Sequence, residues 1–371
     1  SSTSSSSSYT LHQIHQHQSE LWKGHIPIQF DILQSETNSQ AFDSPTSTVG
    51  SKSNALLKVP PMYKMVPRVA YFGTFLDEIV QHFQPYIKKE SDGVWMEWNG
   101  EPLKWNAPVG VLYDYLCAWK DRERNETLPW RITVRFFAFP LDRVLELHSD
   151  EDFQWNYINN LKESIFVQFN NTNPIMTCLS KAQQNEMWSA IKQVDYDSFS
   201  TIFQQMINEY EKFSSGSSSN VSKKRIPIKV YRVEQNAQLK REVSNANQSV
   251  TSELHCVRHM DSLHTSLHDF FTQHSDAFPM ERVEQIIIHG IHFTWRDSEG
   301  AELLKAMNLF DVFRAFSHPD QLLYIVVVIE ASEEQEEPHE KTQEQQEQEE
   351  SESSNGHVPP QEFSPESAQD E

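Results

Sequence analysis

The chain has 371 residues and a formal net charge of −22, with three cysteines. That length allows two or three domains of ~100–200 residues each. Fourteen acidic residues and one lysine within 332–371 account for −13 of the charge and leave −9 on the rest; no basic stripe of the kind that grips nucleic acid is present, so a nucleic-acid partner is excluded.

Residues 1–20 are serine, glutamine and histidine with little apolar content, and are expected to form a disordered tail that includes His12, His15 and His17. Ile26-Pro27-Ile28 opens a strand-like run to Leu33. A polar tract over 35–54 reads as a loop insertion. Then come an apolar stretch from Val66 to Phe72, a helix from Leu76 to Phe83 and a strand from Val94 to Trp98 that breaks at Gly100. Pro108 suits the first turn of a helix from Val109 to Leu116, and Cys117 continues its apolar face into the core. A closing strand runs from Ile132 to Phe139. Strand-strand-helix-strand-helix-strand over about 100 residues predicts a small α+β roll of ubiquitin type across 21–140.

Residues 141–213 read as a helix-rich region. Trp155, Ile158, Leu161, Ile165 and Phe169 recur at helical spacing, as do Met187, Ile191 and Val194, then Phe199, Ile202, Phe203, Met206, Ile207 and Tyr210. A serine run from Ser214 to Ser219 marks a linker over 214–224. The first pattern then returns: Ile226-Pro227-Ile228 opens a strand, followed by Leu239 to Val243, Leu263 to Phe271, Val283 to Ile288 with Gly290, Ala301 to Met307 and Leu323 to Ile329. Internal repetition at this scale sets the architecture: a second ubiquitin-like roll over 225–330, with residues 247–259 as a polar connection. Residues 331–371 are a low-complexity acidic tail, expected to be disordered and to act as a solvating appendage. The fold class is therefore α+β, two ubiquitin-like rolls flanking a helix-rich segment.

Chemistry-bearing motifs are absent. There is no phosphate-cradling glycine loop, nucleophile elbow or paired-cysteine metal site. His255, Cys256 and His259 come nearest to a ligand cluster, but no second cysteine joins them. Cys117, Cys178 and Cys256, odd in number and widely spaced, suit a reducing intracellular setting, and none shows the electropositive surroundings of a reactive thiol. No metal or cofactor is expected, and the cysteines give no basis for a thioester-forming enzyme. The longest apolar run, Leu322 to Ile329, is shorter than the ~20 residues of a membrane-crossing helix, and no signal peptide is expected. A ubiquitin-like modifier needs a C-terminal glycine. This chain ends in Asp370-Glu371, so in a conjugation pathway it is expected to receive a modifier.

Trp22-Lys23-Gly24-His25-Ile26-Pro27, Glu101-Pro102-Leu103-Lys104-Trp105, Pro108-Val109-Gly110-Val111-Leu112-Tyr113-Asp114 and Leu128-Pro129-Trp130-Arg131-Ile132-Thr133-Val134 together resemble the autophagy protein 5 family. The resemblance is dense over residues 21–139, loose in the helical middle, and carried in the second roll by Arg225-Ile226-Pro227 and Ile288-His289-Gly290-Ile291. Each motif also has a structural reading. Trp95, Trp98, Trp105 and Trp130 are large core groups, and those between Trp98 and Trp105 either pack inside or line a groove for a partner helix; Gly100 suits a turn.

The resemblance implies an acceptor and scaffold rather than an enzyme. One lysine would be joined to the C-terminal glycine of autophagy-related protein 12, and the N-terminal helix of autophagy-related protein 16 would bind. The complex would promote transfer of autophagy-related protein 8 to phosphatidylethanolamine by its conjugating enzyme, from the cytoplasm and peripherally at the preautophagosomal membrane. The acceptor context of the family matches Tyr157-Ile158-Asn159-Asn160-Leu161-Lys162-Glu163 and nominates Lys162 over Lys181 and Lys192. On the helical wheel Lys162 falls near the middle of the arc of Trp155, Ile158, Leu161, Ile165, Phe166 and Phe169, and the plain alternative is a lysine snorkelling at a core edge. A non-conjugated interaction scaffold of two rolls is the rival reading.

Overall fold

The computed structural model describes residues 11–37, 59–87, 91–120, 128–169, 178–214, 225–235, 255–259, 265–295, 302, 305 and 307–330. Those up to residue 330 belong to one compact unit. In chain order its elements are α1 (Leu11–Trp22), β1 (His25–Ile32), β2 (Met62–Pro67), α2 (Leu76–Phe83), β3 (Trp95–Trp98), β4 (Glu101–Pro102), α3 (Val109–Leu116) and β5 (Trp130–Arg135). The helical region holds α4 (Asp150–Phe169), α5 (Lys181–Gln193) and α6 (Tyr196–Ser214). The second half holds β6 (Ile226–Gln235), β7 (His255–His259), α7 (Leu267–Gln273), β8 (Val283–Ile288), β9 (Ile291–Thr294), α8 (Leu309–Phe316) and β10 (Leu323–Glu330).

The two sheets repeat one topology, β2-β1-β5-β3-β4 and β7-β6-β10-β8-β9. In β1, Ile26, Ile28 and Phe30 alternate inward, the period-two signature of a half-buried strand. Each sheet centres on a parallel pair, β1 with β5 and β6 with β10, whose registers begin at Ile28 and Ile228. Pro27 and Pro227 therefore sit one residue ahead of the parallel ladder, where a missing N–H breaks no bond to that neighbour.

The faces of the sheets differ. Along β5 the pattern alternates, with Arg131 exposed and Trp130, Ile132 and Val134 buried. Along β10 every residue from Leu323 to Ile329 is buried. Leu323, Ile325, Val327 and Ile329 share a core with α7 and α8, while Val326 and Val328 join the core of the first roll and the helices. A strand covered on both faces reads as a continuous apolar run, and the run from Leu322 to Ile329 is that strand. All of α3 is buried; Val111 meets Leu322 and Tyr324, and Tyr115 meets Tyr231 with ring centroids 4.8 Å apart.

Several sequence expectations are corrected. Part of the expected N-terminal tail is α1: Ile14 and Trp22 are buried, and Trp22 packs on Tyr196 and Phe199. The expected insertion begins inside the fold, because Glu36 is buried and accepts from Arg135 Nε at 2.6 Å and from the Phe136 N–H at 2.8 Å; residues 38–54 lie outside the described residues. The second strand is Met62–Pro67 rather than a stretch from Val66 to Phe72, and the closing strand stops at Arg135. In the second roll Leu239 to Val243 lies outside the described residues, and His255–His259, expected as loop, pairs with β6. Glu302 and Lys305 are helical within the expected Ala301–Met307 segment, but the counterpart of α3 is α8, which starts at the Asn308 cap. Residues 1–10, 215–224 and 331–371 lie outside the described residues.

Candidate functional site

Helix α4 carries Lys162 and is held on three sides. Its start is fixed by Ser149 and Asp152: Asp152 accepts from the N–H groups of His148 and Ser149, each at 3.0 Å, and Ser149 Oγ accepts from the Asp152 N–H at 3.2 Å. These donors hold the Asp152 carboxyl below its ordinary pKa, and three acidic residues in the first turn suit the positive end of the helix dipole.

Toward the first roll, Phe153 packs edge-on against Trp105 with centroids 5.3 Å apart, over the bare backbone of Gly73, and Asn160 Nδ2 donates to Asn106 O at 2.6 Å. Toward the second roll, Tyr157 Oη donates to Pro319 O at 3.1 Å, Ser164 Oγ to Asp320 O at 2.6 Å, and Glu163 pairs with Lys229 at 3.1 Å. Toward α5, Tyr157 stacks on Trp188, and Asp150 accepts from Trp188 Nε1 at 2.9 Å and pairs with Lys192 at 2.7 Å.

The remaining side faces solvent, and there the expected apolar arc is corrected. Ile158, Leu161 and Ile165 are buried, but Trp155 is 50% exposed and Phe166 39%. A helix touched on three sides buries Asn160 and Ser164 where neighbouring carbonyls meet them, so its apolar residues do not share one face. Lys162 lies on the open side, half-buried, with Nζ 5.5 Å from the centre of the Trp155 ring. Among the described residues no carboxylate lies within ion-pair distance of it, whereas Lys192 and Lys229 are both paired. Lys181 lies beside Trp155 in a cleft of about 280 Å³ between α4 and α5, lined also by Asp150, Gln154, Asn185 and Lys192.

A second polar constellation joins the two rolls. Arg68, just past β2, reaches Asp114 of α3 at 2.5 Å and Gly110 O at 3.3 Å. Burial raises the Asp114 pKa, while Arg68 and, more weakly, the Gly290 backbone N–H pull the other way. The rings of His289 and His318 stack 4.2 Å apart, 13° from parallel. Burial pushes both imidazoles down, His289 to about 3, so they are neutral at pH 7. Asp320 accepts from Tyr324 Oη at 2.7 Å and from the Leu322 N–H at 3.2 Å, and burial raises its pKa. Helix α1 adds a clamp: Gln18 Nε2 donates to Arg314 O at 2.7 Å and to Ser317 Oγ at 3.2 Å, and Gln18 Oε1 accepts from Tyr196 Oη at 2.8 Å.

Sequence reasoning placed Lys162 on a helix and missed the joint. The available signal was a lone charge in an apolar setting, Asp114 inside Val109–Leu116 and Arg68 between Val66 and Val69. Cys117 and Cys178 are buried, and the side chain of Cys256 lies outside the described residues. Trp95, Trp105 and Trp130 are buried and Trp98 partly so. Among the described residues no group of histidine, cysteine and carboxylate side chains could hold a metal, and no helix is long and apolar enough to cross a membrane.

Fold and site together define a two-roll protein assembled around a helical region, with α4 shared by all three parts. Family models matching the chain are the autophagy protein ATG5 UblA domain over residues 21–136, its alpha-helical bundle region over 150–209 and its UblB domain over 225–327. Autophagy protein 5 of Debaryomyces hansenii is 30% identical across 71% of this chain and 84% of its own length. That of Arabidopsis thaliana is 26% identical across 49% of this chain, and the match spans 47% of the plant protein, about half its length. The crystal structure of Kluyveromyces marxianus Atg5 superposes with a TM-score of 0.58 over 85% of this chain and all of that one, at 17% identity, a likeness of fold. The chain belongs to the autophagy protein 5 family. Membership supports a role in autophagy.

Proposed function

We propose that the chain is a conjugation acceptor and scaffold whose Lys162 is joined to the C-terminal glycine of autophagy-related protein 12. In that acyl transfer the Lys162 amine attacks the thioester carbonyl of the modifier carried on a conjugating enzyme. The C–N bond forms as the C–S bond breaks; the thiolate leaves and the amine gives up its proton. The observation that carries the reading is the setting of Lys162, an amine with no carboxylate partner among the described residues, on the open side of a helix fixed on three others. Lys192, by contrast, is tied to Asp150 at 2.7 Å.

The wider reading follows the family. The conjugate binds the N-terminal helix of autophagy-related protein 16 and promotes transfer of autophagy-related protein 8 onto phosphatidylethanolamine by the lipidation-step conjugating enzyme. It works from the cytoplasm, peripherally at the preautophagosomal membrane, with ligase-like activity only as the conjugate and no cofactor.

The test is a blot of the tagged chain from cells that hold the conjugation machinery, wild type against Lys162→Arg. A heavier band lost only in the variant is expected. A band that persists moves the bond to another lysine, and no band in either leaves a non-conjugated scaffold of two rolls.

A further inference from the structure

On the open side of α4, Trp155, Asn159, Lys162 and Phe166 follow at spacings of four, three and four residues and so form one ridge. The exposure of Trp155 is unusual on a helix that buries even Asn160 and Ser164, because a large apolar side chain left in water forgoes the stabilisation that burial would bring. Its position offers a use for that exposure. The indole lines the α4–α5 cleft and also carries the Lys162 ammonium 5.5 Å from its ring centre. Lys181 and Lys192 line the same cleft, and neither has such a ring contact among those seen in the described residues. Lys192 is instead held by Asp150.

We infer that Trp155 is a positioning residue for conjugation: its indole face holds the Lys162 side chain along the ridge and so selects that amine over Lys181 and Lys192. A lysine stem has four rotatable bonds, and a flat apolar surface under it cuts the orientations the amine samples. An exposed cation–π contact shifts such a population by about two- to five-fold, so the expected effect is of that size. Trp155 touches neither the thioester nor the bond formed, and acts through Lys162. The inference rests on the acceptor reading of Lys162.

The experiment is a single-turnover assay on the purified full chain, using autophagy-related protein 12 charged as a thioester on its conjugating enzyme and present in excess. The linkage is mapped by peptide mass spectrometry. With wild type linked at Lys162, Trp155→Ala is expected to slow conjugation about two- to five-fold and to move part of the linkage to Lys181 or Lys192. Trp155→Phe, which keeps a ring, is expected to recover the rate to within about two-fold, with Tm unchanged in both variants. An unchanged rate and site in Trp155→Ala would overturn the inference, as would a phenylalanine variant no better than alanine, or a Tm that falls in step with the rate. Wild-type linkage elsewhere, or none, would instead remove the acceptor reading and this inference with it.

Discussion

The hairpins β3–β4 and β8–β9 turn the chain in the same way and are put to different uses. Asn99 and Gly100 have φ of 50° and 81°; His289 and Gly290 have 53° and 82°. Both are two-residue turns with positive φ at each central residue, the form whose twist matches the flanking strands. Asn99 and Gly100 stand in water, and a Cβ on Gly100 would meet nothing within 4 Å. His289 is buried, and a Cβ on Gly290 would fall 2.5 Å from Arg68 Cζ. One turn only closes a hairpin; the other is the surface on which the first roll docks. The sheets differ in the same sense, since β5 shows one face to water and β10 none. At these two places the second roll is the more enclosed, and substitutions at matching positions should reveal it.

The sheet faces give the largest contrast. Val328→Asp puts an unpaired carboxylate between β10 and the rest of the molecule, and a loss of more than about 4 kcal/mol, read as failure to fold or a collapsed denaturant midpoint, is expected. Arg131→Asp on the open face of β5 should change stability by about 0.5 kcal/mol or less. Equal losses would mean that the back of β10 is not shielded as described.

The turns come next. Gly100→Ala meets only backbone strain, about 1–2 kcal/mol. Gly290→Ala meets the same strain and also displaces the Arg68 guanidinium from Asp114, for a loss of roughly 3–5 kcal/mol. Thermal unfolding of the pair gives the difference directly, and equal shifts would show that Arg68 yields without cost.

The stacked histidines make the enclosed roll sensitive to acid. In the unfolded chain an imidazole takes up a proton near pH 6.5, whereas His289 in the fold holds out to about 3 and His318 is lowered in the same direction. Stability is therefore lost as pH falls from 6.5 toward 3. Asp114 and Asp320 oppose this. Their raised values mean the fold binds more protons above 3.8, which adds stability as pH falls. His289→Asn keeps a residue that tolerates positive φ and removes one titrating group. Denaturant midpoints between pH 7 and 4.5 should fall less steeply in the variant, by about one proton's worth of slope. An identical slope would assign the acid sensitivity elsewhere.

Much of this asymmetry was legible in the residues and some was not. Val109–Leu116 and Val283–Ile288 were read with their observed boundaries, because Pro108 marks the start of the largely apolar helix and Gly290 follows the Ile286–Ile288 run that ends the strand. Leu323 to Ile329 was read as a strand, though not as the one covered on both faces. Helix α1 was missed because it holds on largely through Gln18, His15 and His17, polar residues whose partners lie about 180 to 300 positions away. Strand β7, His-Cys-Val-Arg-His, has one aliphatic residue to announce it. Lys162 was nominated by context, while Trp155 was misplaced in the core because periodicity assumes that every aromatic on the wheel faces inward. Nothing local to His289 reveals a partner at His318.

The smallest expected effect sharpens the comparison furthest, because it loosens one roll and should spare the other. Gln18 is the polar pin between α1, the end of α8 and Tyr196 of α6. The start of the first roll is reached instead through Trp22, buried against Tyr196 and Phe199, and through the short turn into β1. Gln18→Ala removes three hydrogen bonds at a half-buried site and leaves Trp22 in place, so a loss of about 1–2 kcal/mol is expected. Hydrogen exchange resolves where it falls. Amides of α8 that open locally should exchange roughly ten-fold faster, the equivalent of ~1.4 kcal/mol, and those of α2 should not change. Equal acceleration in α2 and α8 would mean that α1 braces the whole molecule rather than the second roll. Because the pin is made of side-chain amide and hydroxyl groups, the effect should persist at high salt, unlike a contact made of charges.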